Sequence, residues 1–250
     1  MLNVPAYLER VDYAGPTAPT PETLRALHRA HLLAVPFENL DIHLGRAIVC
    51  DEARFLHKIV GERRGGFCYE LNGAFAALLG ALGFQVTLLS ARVPRADGSD
   101  GPEFDHLTLR VDLEEPWLAD VGFGEGFLEP LRLKPDLEQP QMGRIYRLAD
   151  VEAVFRLEVM TGDKWKSEYS FTLQPRQLSD FAAMCHYHQT SPESHFTRNR
   201  VCSRAMPDGR ITLSNEKLIE THNAARSERT LSEREWTACL RDLFGVVMRG

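Results

Sequence analysis

Arg64-Gly65-Gly66-Phe67-Cys68-Tyr69-Glu70-Leu71-Asn72 is the stretch on which the reading of this chain turns. The two glycines read as a tight backbone turn, because a residue without a Cβ reaches conformations closed to others. A helix follows, with Leu71, Phe75, Leu78 and Leu82 spaced by three or four residues and Gly83 as its stop. Cys68 then falls at or beside the helix N-terminus, where unpaired N–H groups and the macrodipole favour negative charge. A thiol there ionises more easily, and the thiolate is the nucleophile. Arg63 and Arg64, just upstream, are expected to add to the effect. The competing reading is a buried, inert cysteine. The coincidence of Gly-Gly, a helix start and two cations favours the reactive one.

Working outward, residues before Gly83 read mainly as helix. Thr20-Pro21-Glu22 supplies a cap, a proline for the first turn and an early acid, and Leu24, Leu27 and Leu32 give the face. Asp51 is expected to cap a second helix with Phe55, Leu56 and Ile59. After Gly83 the period becomes two. Phe84, Val86 and Leu88 alternate with polar residues, as do Leu107, Leu109, Val111 and Leu113. Ala153 to Val159 and Trp165, Ser167, Tyr169, Phe171 and Leu173 continue the pattern, with Thr161-Gly162-Asp163-Lys164 as a hairpin turn between them. These strands suggest an antiparallel barrel or sandwich. The tail is mixed: a short helix around Leu178 to Cys185, a hairpin near Asp208-Gly209, and a capping box at Ser232-Glu233-Arg234-Glu235 opening a last helix. Helices, then strands, then a mixed tail is an α+β pattern.

A chain of 250 residues, 44% hydrophobic and 26% charged, can bury a substantial core. A net charge of −6 argues against general nucleic-acid binding but not against an anionic small molecule in a local basic pocket. No apolar run is long enough for a membrane span and no secretory leader follows Met1, which points to the cytoplasm. Five scattered cysteines with no Cys-x-x-Cys pair suit free thiols better than a disulfide framework.

A cysteine nucleophile needs a base and a group to orient it. His106 begins a strand, after Asp105, in the polar alternate set; the competing reading is a surface strand histidine. Asp120, in Leu118-Ala119-Asp120-Val121-Gly122-Phe123-Gly124, closes an apolar strand; the competing reading is a turn aspartate. A symmetric two-residue turn at Glu114-Glu115 sets Leu109 opposite Asp120 and puts His106 on the other face. The pair can meet only if the register shifts by an odd number of residues. A second constellation, Cys185-His186-x-His188 with His195 and Cys202, has metal-type ligands but no standard structural-zinc spacing; no metal is expected. Phosphate-loop and dinucleotide motifs are missing, and Gly122-Phe123-Gly124-Glu125-Gly126 reads as a wall that lets a ligand approach backbone.

Four segments in order now resemble a known family: Val35-Pro36-Phe37-Glu38-Asn39-Leu40, Arg64 to Asn72, Phe104-Asp105-His106, and Asp120-Val121-Gly122-Phe123-Gly124. They look like the arylamine N-acetyltransferases in their compact bacterial form, and Ser191-Pro192-x-Ser194-x-Phe196 extends the likeness over essentially the whole chain. The histidine lies 38 positions after the cysteine and the aspartate 14 after that, as in the family. The resemblance implies a Cys68–His106–Asp120 triad on a papain- or transglutaminase-like core. It implies a helical first domain carrying the nucleophile (1–83), an antiparallel β-barrel carrying the histidine and aspartate (84–175) and an α/β lid (176–250). It further implies acetyl-CoA as co-substrate with no permanently bound cofactor, and small aromatic amines, hydrazines or arylhydroxylamines as acceptors. Phe37, Val93 and Phe123 match acceptor-pocket positions, and Glu38 and Arg64 match a structural ion pair near the cysteine. Two other readings stand beside this one. One is an amide synthase or thioester hydrolase on the same triad; the other is a non-catalytic module that keeps the fold.

Overall fold

The computed structural model describes residues 2–95, 97–223 and 225–248. The N-terminal part is helical: α1 (Val4–Arg10), α2 (Pro21–Ala34), a two-residue strand β1 (Phe37–Glu38), α3 (Leu40–His43), α4 (Glu52–Leu56) and α5 (Cys68–Ala81). Thr20 caps α2 by accepting the Thr23 N–H, and Asp51 caps α4 by accepting that of Arg54. These side chains satisfy donors that a helix start leaves free. α4 does not run on as a regular helix to Ile59 but widens into a π turn at His57–Gly61. Arg10 ties this part together, donating to Ala34 O at the end of α2, to Ile59 O in the π turn and to Arg64 O. At the core, Leu71, Phe75 and Leu78 of α5 are almost wholly buried, each worth about 1.5–3 kcal/mol of transfer free energy.

The middle of the chain is an eight-stranded antiparallel barrel: β2 (Gln85–Arg92), β3 (His106–Asp112), β4 (Pro116–Ala119), β5 (Leu131–Arg132), β6 (Gln139–Gln141), β7 (Arg144–Val151), β8 (Val154–Thr161) and β9 (Lys164–Phe171). The strand order is β5-β4-β3-β2-β9-β8-β7-β6. β5 and β6 close the ring through side chains. The Gln139 amide accepts from Arg132 N and donates to Arg132 O, at 2.8 and 3.1 Å, and Gln141 does the same for Glu129 at 2.9 and 2.8 Å. Each glutamine so imitates the donor and acceptor of a neighbouring strand.

Both faces of β3 are covered. Leu107, Leu109 and Val111 pack with Phe75 and Leu78 of α5, while His106 and Thr108 point into the barrel and are buried. The first two members of the polar alternate set are thus interior, and His106 is no surface histidine. The hairpin to β4 pairs Asp112 with Pro116 and Leu109 with Ala119, leaving a three-residue loop, Leu113 to Glu115. Against a two-residue turn this is a shift of one residue. It continues Asp120 opposite Thr108, on the face of His106.

A second odd shift sits across the barrel. β8 and β9 pair Thr161 with Lys164 and Glu158 with Ser167, but Leu157 with Tyr169, so Glu168 is an extra residue in a β-bulge. The alternation read from Trp165 to Phe171 breaks there. Trp165 stays outside under the Arg147 guanidinium, whereas Tyr169 turns inward and is fully buried. Bulges re-aim side chains in this way near functional sites.

After a 3₁₀ turn at Leu178–Phe181 come α6 (Ala182–Thr190) and α7 (His195–Arg198). The strands β10 (Val201–Met206), β11 (Gly209–Ser214), β12 (Lys217–His222) and β13 (Ala225–Thr230) follow, and α8 (Glu233–Phe244) ends the fold. The sheet runs β1-β10-β11-β12-β13, so the short strand before α3 belongs to it. Trp236, Leu240 and Phe244 of α8 pack with Ile211, Leu213 and Leu218 of the sheet. The architecture is α+β, a helical part, a barrel and an α/β lid. No helix among the described residues is long and apolar enough to cross a membrane.

Candidate active site

The segment before Cys68 is held by close backbone approach. An added Cβ at Gly65 would lie 1.9 Å from Pro36 O, and Gly66 forms a parallel bridge with Phe37. Neither glycine has a positive φ. The pair is therefore needed for lack of a side chain and not for a left-handed turn. Cys68 is the first residue of α5, and Glu70 caps that turn by accepting the Phe67 N–H at 3.1 Å.

Arg63 and Arg64 do not serve the sulfur. Arg63 is exposed, and Arg64 donates to Glu38 Oε1 at 2.7 Å and Asp41 Oδ1 at 2.6 Å. Lys58, carried by the π turn, lies 2.8 Å from both Asp41 Oδ2 and Glu70 Oε1 and 3.7 Å from Glu38. Three buried carboxylates thus share two buried cations. Burial outweighs the attraction of Lys58 at Glu70, whose carboxyl is pushed up to about 7. Burial also raises the Cys68 thiol well above its ordinary range, opposed by backbone hydrogen bonds with Leu107 and Tyr69. The helix start alone does not make the thiolate.

A histidine and an aspartate are paired at the same cavity. His106 Nε2 is 2.6 Å from Asp120 Oδ2, both side chains being buried. Asp120 Oδ2 also accepts from Tyr169 OH at 2.8 Å, and Oδ1 accepts from Asn72 Nδ2 at 2.9 Å and Gly122 N at 3.0 Å. Burial alone would raise this carboxyl. The charge of His106 and the bonds from His106, Asn72 and Gly122 outweigh it and hold it below its ordinary value. The imidazole is fixed edge-on against Phe123, with ring centroids 5.1 Å apart. Cys68 and His106 line one cavity of about 550 Å³, with Phe37, Val93, Phe123 and Phe196 as apolar wall and Arg95 and Arg198 among its polar lining.

An N-acetyltransferase family model matches residues 20–250 of this chain. The arylamine N-acetyltransferase / N-hydroxyarylamine O-acetyltransferase of Salmonella typhimurium is 39% identical to it over 220 residues, 87% of this chain and 78% of that one. The solved structure of the arylamine N-acetyltransferase from Salmonella typhimurium superposes with a TM-score of 0.92 at 35% identity, covering 98% of this chain and 92% of that one. The chain belongs to the arylamine N-acetyltransferase family. A Mycobacterium marinum arylamine N-acetyltransferase solved in complex with CoA is likewise similar, with a TM-score of 0.90 at 32% identity over 98% of this chain and 93% of that one.

Three further residues of this N-acetyltransferase shape the site, and the motif reading passed over each as a site residue. Asn72, one helical turn after Cys68, donates to Leu107 O and Asp120 and accepts from Val121 N at 2.9 Å. Its i+4 spacing from the cysteine was a usable signal. Tyr169 is aimed by a bulge that carries no sequence mark. His28 lies on the buried face of α2. Its Nδ1 donates to Leu128 O at 2.8 Å and its Nε2 accepts the Asp120 N–H at 3.0 Å, which requires the neutral ring. Burial agrees, lowering His28 to about 4.

The metal-type constellation is not assembled. Cys185 Sγ faces Ile48 O, His188 bonds Asp105 and Ser194, and Cys202 is buried in the core under α8. Among the described residues no three His, Cys, Asp or Glu side chains gather as metal ligands.

Proposed function

We propose that this enzyme moves an acetyl group from acetyl-CoA to the nitrogen of an arylamine, hydrazine or arylhydroxylamine, through a thioester on Cys68. The observation that carries the reading is the 2.6 Å His106–Asp120 bond at the wall of the cavity that Cys68 also lines. With Nε2 committed to Asp120, Nδ1 is the nitrogen left to take the thiol proton. Burial opposes a lone thiolate, so the proton passes to the ring and the sulfur ionises only as half of a pair, with Asp120 stabilising the imidazolium.

The thiolate adds to the thioester carbonyl, and free N–H groups at the start of α5, that of Cys68 among them, support the oxyanion. CoA leaves with the proton from His106. The amine then attacks the acetyl-cysteine and gives its proton back to the ring. Only an amine that is neutral at working pH can attack, which aromatic amines and hydrazines satisfy and most aliphatic amines do not. Phe37, Val93 and Phe123 form the acceptor wall in this reading. Glu38 and Arg64 have a structural part, fixing the strand and loop that lead into α5.

Intact-mass measurement after incubation with acetyl-CoA alone tests this. One acetyl group is expected on the wild-type chain and none on Cys68→Ala, with ping-pong kinetics once an arylamine is added. CoA release that continues beyond one equivalent per chain without amine would mark a hydrolase instead. Amine acetylation by Cys68→Ala would remove the sulfur from the mechanism.

A further inference from the structure

Cys68 and His106 stand at the starts of two different elements, α5 and β3, and the helix grips the chain on both sides of the histidine. After it, Asn72 Nδ2 donates to Leu107 O at 2.6 Å. Before it, the hydroxyl of Tyr69, the residue next to Cys68, donates to Phe104 O at 2.7 Å and lies 3.3 Å from Asp105 O. Phe104 has a φ of 65°, in the left-handed region that a bulky residue enters only when its surroundings hold it there. They hold it at three points. Its N–H donates to Ser90 Oγ at 2.7 Å, its carbonyl accepts from Tyr69, and its ring lies edge-on to Phe181 and 5.1 Å from the Arg176 guanidinium. Tyr69 is itself packed in place, fully buried and edge-on against Phe67 with ring centroids 5.0 Å apart. Burial raises the phenol well above its ordinary range, so the hydroxyl stays a donor.

We propose that Tyr69 is a positioning residue, setting the imidazole of His106 against the Cys68 sulfur by holding Phe104 in its left-handed conformation. The inference rests on the Cys68–His106 pairing set out above. Without the hydroxyl, Phe104 O loses its donor and the residue relaxes toward negative φ. The carbonyl swings away from α5 and draws Asp105 and His106 with it. Asp120 still holds Nε2, so the ring tilts and is not released. A base must stay within hydrogen-bond reach of the proton it takes, so a small tilt is enough to weaken the ion pair. The side chain that follows the nucleophile in sequence thereby places the base.

Tyr69→Phe keeps the ring and removes the hydroxyl, and is compared with His106→Ala and with the double variant. In Tyr69→Phe, kcat should fall about tenfold with the KM for acetyl-CoA unchanged. Alkylation by iodoacetamide, followed at the Cys68 peptide by mass spectrometry, should be about fivefold slower at neutral pH and match wild type in alkaline solution, where the thiol ionises unaided. Ser90→Ala, which frees Phe104 from its other side, should give the same profile. Adding Tyr69→Phe to His106→Ala should slow alkylation no further, because the hydroxyl acts only through the imidazole. A further slowing in the double variant as large as in the single one would overturn the proposal. If Tyr69→Phe melts lower but alkylates like wild type while His106→Ala is slow, Tyr69 is only structural, so this inference falls and the pairing stands. If His106→Ala also alkylates like wild type, both fall.

Discussion

Asp120 is the most heavily bonded side chain of the site, and its neighbours divide the work. Tyr169, Asn72 and Gly122 hold the carboxylate, while His28 holds the backbone N–H of the same residue. His28→Ala leaves that N–H and Leu128 O unpaired in the interior, a loss of about 1–3 kcal/mol. We expect kcat to fall about tenfold to a hundredfold with the KM for acetyl-CoA unchanged, because the aspartate shifts while the cavity stays. Steady-state kinetics on the variant checks this. The sulfur gives a second expectation. Without an imidazole partner, the raised Cys68 thiol stands alone. In His106→Ala, alkylation of Cys68 by iodoacetamide should be at least about tenfold slower than wild type at neutral pH and recover only in alkaline solution. Equal rates at neutral pH would mean that the helix start suffices.

Two single-residue offsets lie on the strands that bring these groups together. The three-residue loop from Leu113 to Glu115 turns Asp120 toward His106, and the extra Glu168 lets Tyr169 face Asp120 while Trp165 stays outside. Deleting Glu168 removes the extra residue but leaves Ser167 opposite Glu158 and Tyr169 opposite Leu157, so Tyr169 still faces inward. The deletion should therefore cost less in kcat than Tyr169→Phe, which removes the hydroxyl bonded to Asp120 and should cost about tenfold. The same activity assay on the two variants decides it. These offsets also mark where the chain was legible. The helix caps at Thr20 and Asp51, the cysteine at the head of its helix and the Gly162-Asp163 turn all follow from local chemistry. The need for an odd shift before Asp120 could be deduced from periodicity, but its place could not, since two- and three-residue turns fit the same acidic residues. The bulge at Glu168 has no mark in composition because a charged residue sits equally well in a regular edge. Arg64 misled for a related reason. Sequence puts it four residues from the sulfur, and only the fold supplies Glu38 and Asp41 to turn it away.

The buried charges link the helical part's pieces and leave a signature in the stability of the entire chain. Glu70 keeps its proton up to about 7 in the folded state, against 4.5 ordinarily. Between those values the native chain binds a proton that the unfolded chain has released. Stability from this group therefore rises as pH falls from 7 to 4.5, by about 1.4 kcal/mol per unit and up to about 3 kcal/mol in all. Glu70→Gln should lack that rise, so the gap between wild-type and variant melting temperatures should change in favour of wild type on acidification. Parallel melting curves from pH 7 to pH 5 would exclude the assignment.

Phe37 touches Gly66 on one side and Ser203 on the other, and the Asn39 amide reaches the carbonyls of Phe196 and Asn199. The strand that leads toward Cys68 is thus held by residues synthesised more than a hundred positions later. A nascent chain that stops short of Ser203 has no strand to set beside Phe37. The frame around the start of α5 is accordingly complete only once the chain has been made through β10.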